Sequence, residues 1–135
     1  MHLDFDQSLI TGNEMIDSQH KELIGKIDDL LSCCEESKEK IKAIQLLGYL
    51  SDYTEFHFAE EEKLQEKISY PEIDSHKQKH AEFKKAIEEL HEMLEELEGP
   101  TAEFVAAVRK NIVIWLFEHI QKMDKDVAEY VRTNQ

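Results

Sequence analysis

EIDSHKQKHAEFKKAIEELHEMLEELE, residues 72–98, decides the fold. Its side chains Ile73, His76, His80, Phe83, Ile87, Leu90, Leu94 and Leu97 recur every three or four positions, which stacks them on one stripe of a helix and leaves Lys and Glu for the opposite face. Gly99-Pro100 ends this helix, and Ser69-Tyr70-Pro71 precedes it, since proline is hostile to a helix interior and welcome near a helix start. Working outward, the same spacing predicts a helix over 39–67 with Ile41, Ile44, Leu50, Tyr53, His57, Glu61, Leu64 and Ile68 on or near its inner face. Another over 13–31, capped by Asn13, carries Ile16, His20, Leu23, Ile27 and Leu30 and ends in the polar stretch 32–38. Beyond Gly99-Pro100, Thr101 and Glu103 open a helix over 101–120 with Phe104, Val108, Ile112, Trp115 and His119 on its stripe. The chain then turns polar over 121–126, and a short last helical turn holds Val127 and Tyr130. With residues 1–12 as an N-terminal arm, the reading is all-α: one domain over 1–135, an up-down-up-down four-helix bundle.

Composition narrows the function. The 135 residues hold 16 Lys+Arg against 30 Asp+Glu, a formal net charge of −14, which repels phosphate backbones and anionic lipid headgroups and sets nucleic acid and membrane surfaces aside as partners. Hydrophobic residues make up 41%, enough for one core, so the acids read as a solvated surface and not as disorder. The longest unbroken apolar run, from Ile112 to Phe117, is far short of the roughly 20 residues a membrane span needs. Acids stand where a signal peptide would be cationic, and the expectation is a cytoplasmic protein. Cys33 and Cys34 are adjacent, which disfavours a mutual disulfide and fits a reducing compartment with bystander thiols.

The stripes are not purely apolar. His20, His57, Glu61, His76, His80 and His119 stand three or four residues from large hydrophobes, so all four helices aim ionisable groups at one interior. Alone, each is weak: a shuffled chain of this composition holds His-x-x-x-His roughly 0.35 times by chance. The convergence of five of the seven histidines is what points to a metal centre, because ions turn otherwise costly buried nitrogens and carboxylates into ligands. Imidazole and carboxylate without thiolate suit iron, manganese or zinc. Five imidazoles exceed the capacity of one ion, and Asp124, five residues past His119, adds a second carboxylate. If Glu61 and Asp124 each bridge, the seven groups leave three of about twelve positions on two six-coordinate ions. A bridging oxygen fills two of these, and one stays open for a small diatomic ligand.

The runs Ile16-Asp17-Ser18-Gln19-His20, His57-Phe58-Ala59-Glu60-Glu61, His76-Lys77-Gln78-Lys79-His80 and Trp115-Leu116-Phe117-Glu118-His119-Ile120-Gln121-Lys122-Met123-Asp124 resemble the signature of the hemerythrins, in order and spacing, across nearly the whole chain. The bacterial branch of that family is the most similar. The resemblance implies two non-haem iron ions with a bridging oxo or hydroxo group that bind dioxygen reversibly in the diferrous state. Nitric oxide is a second diatomic candidate, and any redox partner is undefined. Carried over by motif, His76, His80 and His119 hold one iron, His20 and His57 hold the other, Glu61 and Asp124 bridge, and the open position lies on the second iron. The family's apolar dioxygen pocket maps onto Leu23, Phe58, Trp115, Leu116 and Ile120, whose plain reading is bundle core. Phe5 stands where a tryptophan is common and Leu64 where methionine is common, and His2 has no place in the site. Glu88-x-x-His91 imitates the motif of ferritin-like carboxylate centres, but that class needs two such motifs, so His91 reads as a half-exposed surface residue. Competing readings are a di-iron enzyme, whether oxidase, peroxidase or nitric-oxide-reducing, and a metal-stabilised interaction or iron-storage module.

Overall fold

The computed structural model describes residues 5–36 and 38–133; His2 lies outside them. Among the described residues there are four long helices and a short 3-10 turn at Gln7–Leu9, and no strand. Helix α1 spans Glu14–Glu36, α2 Lys40–Lys67 and α3 Ile73–Glu96. Helix α4 runs without a break over 102–133 and contains two π-helical turns, Arg109–Ile114 and Ile120–Asp124. In sequence order α1 packs on α2, α2 on α3 and α3 on α4, which returns to α1. None of these helices is long and apolar enough to cross a membrane.

Local chemistry sets the ends. Asn13 Oδ1 accepts the Ile16 N–H at 3.0 Å, and the Asp17 carboxylate accepts from Thr11 N, Thr11 Oγ1 and Gly12 N, so the arm is tied to the start of α1. Arg132 donates to the Thr11 carbonyl at 2.9 Å and fastens the end of α4 to the same arm. Thr101 Oγ1 caps α4 through the Phe104 N–H. The turns after α1 and α2 pass through Lys38 and Ser69, both at positive φ, and the N–H groups of Lys38 and Tyr70 reach back to the Cys33 and Gln65 carbonyls at 2.8 and 2.9 Å.

Two boundaries and one helix face differ from the sequence reading. Helix α1 continues past Leu31 to Glu36, because Cys33 and Cys34 are buried and extend its packed face through the stretch read as polar. The polar run 121–126 is no interruption: it is the second π turn and the start of the final α-helical segment, with Asp124, Val127 and Ala128 buried. On α2 the inner face carries Ala43, Leu47, Leu50, Thr54, His57, Phe58, Glu61 and Gln65, whereas Ile41 is 73% exposed. Choosing the bulkiest residue at each turn overlooked small and polar ones that occupy the core.

The core has two parts. A large cluster includes Leu23, Ile27, Leu30, Leu47, Leu50, Phe58, Phe83, Leu94, Phe104, Leu116 and Ile120. A small one is Ile16, Tyr70 and Val127, with Met15, Leu64, Ile68 and Tyr130 against it. Along α1, α2 and α4 the polar residues His20, Glu61 and Asp124 stand between members of the two clusters.

Candidate metal centre

Helix periodicity brings the seven residues to one level of the bundle. His20 comes from α1, His57 and Glu61 one turn apart from α2, His76 and His80 one turn apart from α3, and His119 and Asp124 from α4. The last pair depends on the second π turn. Five residues on a regular helix turn through about 500°, which leaves the two side chains some 140° apart. The wider i→i+5 turn over Ile120–Asp124 restores them to one face. All seven are at most 5% exposed.

They form two groups that share both carboxylates. Glu61, His76, His80, His119 and Asp124 offer ligand atoms all within 4.8 Å of one another, and so do His20, His57, Glu61 and Asp124. Every imidazole presents Nε2 inward. Glu61 Oε1 lies 2.8 Å from His76 and 3.3 Å from His80, while its Oε2 lies 3.4 Å from His57. Asp124 Oδ1 lies 2.9 Å from His76 and 3.1 Å from His119, while its Oδ2 lies 2.9 Å from His20. Each carboxylate therefore turns one oxygen to each group, as a bridging ligand must. His20 Nε2, His57 Nε2, His80 Nε2, both Glu61 oxygens and Asp124 Oδ1 are buried without a hydrogen-bond partner. Such atoms are expensive in a protein interior unless something else satisfies them, and a pair of N/O-preferring divalent ions fits this donor set.

The family model of the hemerythrin HHE cation binding domain matches residues 11–131. The chain belongs to the hemerythrin family. It is 32% identical over 131 residues to the bacteriohemerythrin of Pseudomonas paraeruginosa, covering 97% of this chain and 82% of the relative. It is 28% identical over 121 residues to that of Clostridium acetobutylicum, covering 87% and 92%. The myohemerythrin of Theromyzon tessulatum is 30% identical over 122 residues, covering 89% and 86%.

In this hemerythrin-family protein the outer faces of the histidines are treated unequally. His57 Nδ1 donates to Gln19 Oε1 at 2.7 Å and His80 Nδ1 donates to Glu62 Oε2 at 2.7 Å, which leaves Nε2 of each free to bind a metal. His76 Nδ1 lies 3.0 Å from the Gln65 amide, and the Nδ1 atoms of His20 and His119 have no hydrogen-bond partner. Sequence reasoning passed over Gln19, Glu62 and Gln65. Each reaches a histidine on a different helix, so no spacing within one helix marks them, although Gln19 and Glu62 adjoin ligand candidates.

Aromatic rings pack the outside. Phe58 stacks on His80 at 3.8 Å between centroids and reaches His57 at 5.7 Å. Trp115 stacks on His119 at 4.6 Å with Phe83 behind it at 4.8 Å. Both closest stacking contacts are thus to the three-histidine group, while Leu23, Leu116 and Ile120 are fully buried in the adjoining core. Outside Trp115 a surface cleft of about 200 Å³ is lined by Lys79, Glu82, Glu118, His119, Lys122 and Met123. His91 is remote in role: it pairs with Glu95 at 3.2 Å on the surface of α3.

Charge follows from this geometry. In the metal-free chain burial holds His57 down at about 4, against the pull of Glu61. Burial also opposes protonation of His76, but the Asp124 and Glu61 carboxylates beside its Nε2 overcome it and push this group up to about 9. His20 is raised too, its burial outweighed by Asp124. Asp124 and Glu61 stay ionised below their ordinary ranges: burial works against this, and the surrounding histidines prevail. The interior thus keeps two carboxylates anionic at full burial.

Proposed function

We propose that this protein holds two non-haem irons with a bridging oxygen and uses them to bind dioxygen reversibly, as a store, carrier or sensor and not as a catalyst. The observation that carries the reading is the divided aim of the two carboxylates: Glu61 turns one oxygen toward His76 and His80 and the other toward His57, and Asp124 turns one toward His76 and His119 and the other toward His20. His76, His80 and His119 would hold one iron and His20 and His57 the other, with Glu61 and Asp124 shared between them. The di-iron pair supplies the electrons that make dioxygen binding possible. The chain's own part is to orient and to keep dry: Gln19 and Glu62 fix two ligand rings, and Leu23, Phe58, Trp115, Leu116 and Ile120 form an apolar lining that limits water and proton access.

Iron content and the visible spectrum of anaerobically reduced protein, recorded before and after admission of air, test this. Two irons per chain with a charge-transfer band that appears in air and bleaches under vacuum support it. Two irons that oxidise at once, or that turn over dioxygen, peroxide or nitric oxide with a reductant, favour a di-iron enzyme. A chain that takes up no iron has a structural role for its buried cluster.

A further inference from the structure

Gln65 is fully buried on α2, and a glutamine in such a place is costly unless its amide is used. Its backbone is fixed: the carbonyl accepts the Tyr70 N–H at 2.9 Å and closes the end of α2, where Ser69 turns through positive φ. From this anchored position the amide nitrogen Nε2 lies 3.0 Å from His76 Nδ1, while the amide oxygen has no hydrogen-bond partner. His76 is the imidazole that most needs accurate placement. Its Nε2 lies 2.8 Å from Glu61 Oε1, 2.9 Å from Asp124 Oδ1 and 2.9 Å from His119 Nε2.

We propose that Gln65 is a positioning residue of the metal centre, holding the His76 ring through Nδ1 so that Nε2 points between the two bridging carboxylates. The inference rests on the di-metal reading given above and adds a residue to it. Its chemistry differs from that of Glu62 on His80. A carboxylate can only accept, which commits His80 to the tautomer with a free Nε2. An amide presents either end: N–H to a bare Nδ1, which lets His76 Nε2–H donate to Glu61 and Asp124, or the carbonyl to Nδ1–H, which frees Nε2 for a metal. Gln65 thus serves His76 with and without an ion, while Glu62 keeps His80 ready at all times.

Two variants test this in the full chain, with zinc as the probe. Competition titration of metal-free Gln65→Leu is expected to show about 10–100-fold weaker zinc binding at unchanged helicity, and Gln65→Glu, which keeps an acceptor at Nδ1, is expected to restore the affinity to within a few-fold. Wild-type affinity in Gln65→Leu, or equal losses in both variants with helicity intact, overturns the role of Gln65 and leaves the metal reading standing. A wild-type chain that binds neither zinc nor iron overturns both. If Gln65→Leu loses helicity, the midpoint potential of iron-loaded Gln65→Glu decides: a value below wild type supports the role, because a carboxylate partner makes His76 a stronger donor, and an unchanged or higher value overturns it.

Discussion

The two ends of this bundle are built from the same kind of helix and held together by different means. In the end formed by Leu30, Leu47, Leu90, Leu94, Phe104 and Val108 the helices meet through apolar side chains, and their stability comes from area removed from water. About three turns or more away the same helices meet through His20, His57, Glu61, His76, His80, His119 and Asp124, with a thin apolar cap of Ile16, Tyr70 and Val127 beyond. Burying this second set without a ligand leaves orphaned nitrogens and oxygens, so that end of the fold depends on what it binds. A binding site here is a region where the chain forgoes packing in exchange for a partner.

Removing the partner should produce the largest effect. Asp124→Ala takes one oxygen from each group, so iron content should fall to near zero, with a loss on the order of 4 kcal/mol relative to the loaded protein, the linkage expected for an ion present at about 1,000 times its dissociation constant. Thermal melts with and without chelator measure the loss, and hydrogen exchange should place it around the ligands while amides near Leu30 and Leu94 keep their protection. Uniform loss of protection would mean that the two ends are one cooperative unit.

The converse variant, Leu94→Ala, opens a cavity in the fully apolar end and should cost about 2–5 kcal/mol, equally in loaded and metal-free protein, with iron content unchanged. Denaturant unfolding of both forms checks it, and a loss of iron would show that the ends are coupled.

A smaller contrast lies in pH. In the metal-free protein His57 is held near 4 against an ordinary 6.5, so stability should fall as pH drops from 6.5 toward 4, where the unfolded chain takes the proton first. His76 is raised to about 9, and its contribution, complete below 6.5, should fade as pH rises through 9. Together they predict a stability maximum for the metal-free form near pH 6.5, flattened once ions occupy Nε2. Unfolding midpoints across this range decide it; a maximum at the same height and position in both forms would exclude these two groups as its source.

The smallest effect concerns the thiols at the apolar end. Burial, then the neighbouring Cys33 and Glu35, push Cys34 up to about 11, so at pH 8 roughly a thousandth of it is thiolate. Alkylation of Cys34 should be slow in native protein and fast in denatured protein, and the Cys34→Ser variant should keep its full iron content. Rapid native labelling would show that this end opens more readily than its packing implies.

Much of this was legible in the sequence. The stripes of α1 and α3 and the inward histidines could be read because a helix is a local structure whose period needs no knowledge of its neighbours. The end of α1 differs because the polar neighbours of Cys33 and Cys34 mask two residues whose thiols pack as small hydrophobes, and Ile41 differs because bulk alone does not fix which face a residue occupies. The stretch 121–126 reads only as polar, since its place in a continuous helix depends on a π turn that spacing does not reveal.

The sequence by itself determined four helices, the inner stripes of α1 and α3 and the five inward histidines, because side-chain character repeated at 3.6-residue spacing decides which face leaves water. Tertiary structure alone decided that Glu61 and Asp124 each point one oxygen at each group, that Gln19, Glu62 and Gln65 reach His57, His80 and His76 across helix boundaries, and that Trp115 and Phe58 cover His119 and His80. These depend on the relative rotation and axial offset of neighbouring helices. No single helix encodes that register; it is settled by how the ridges of all four pack at once.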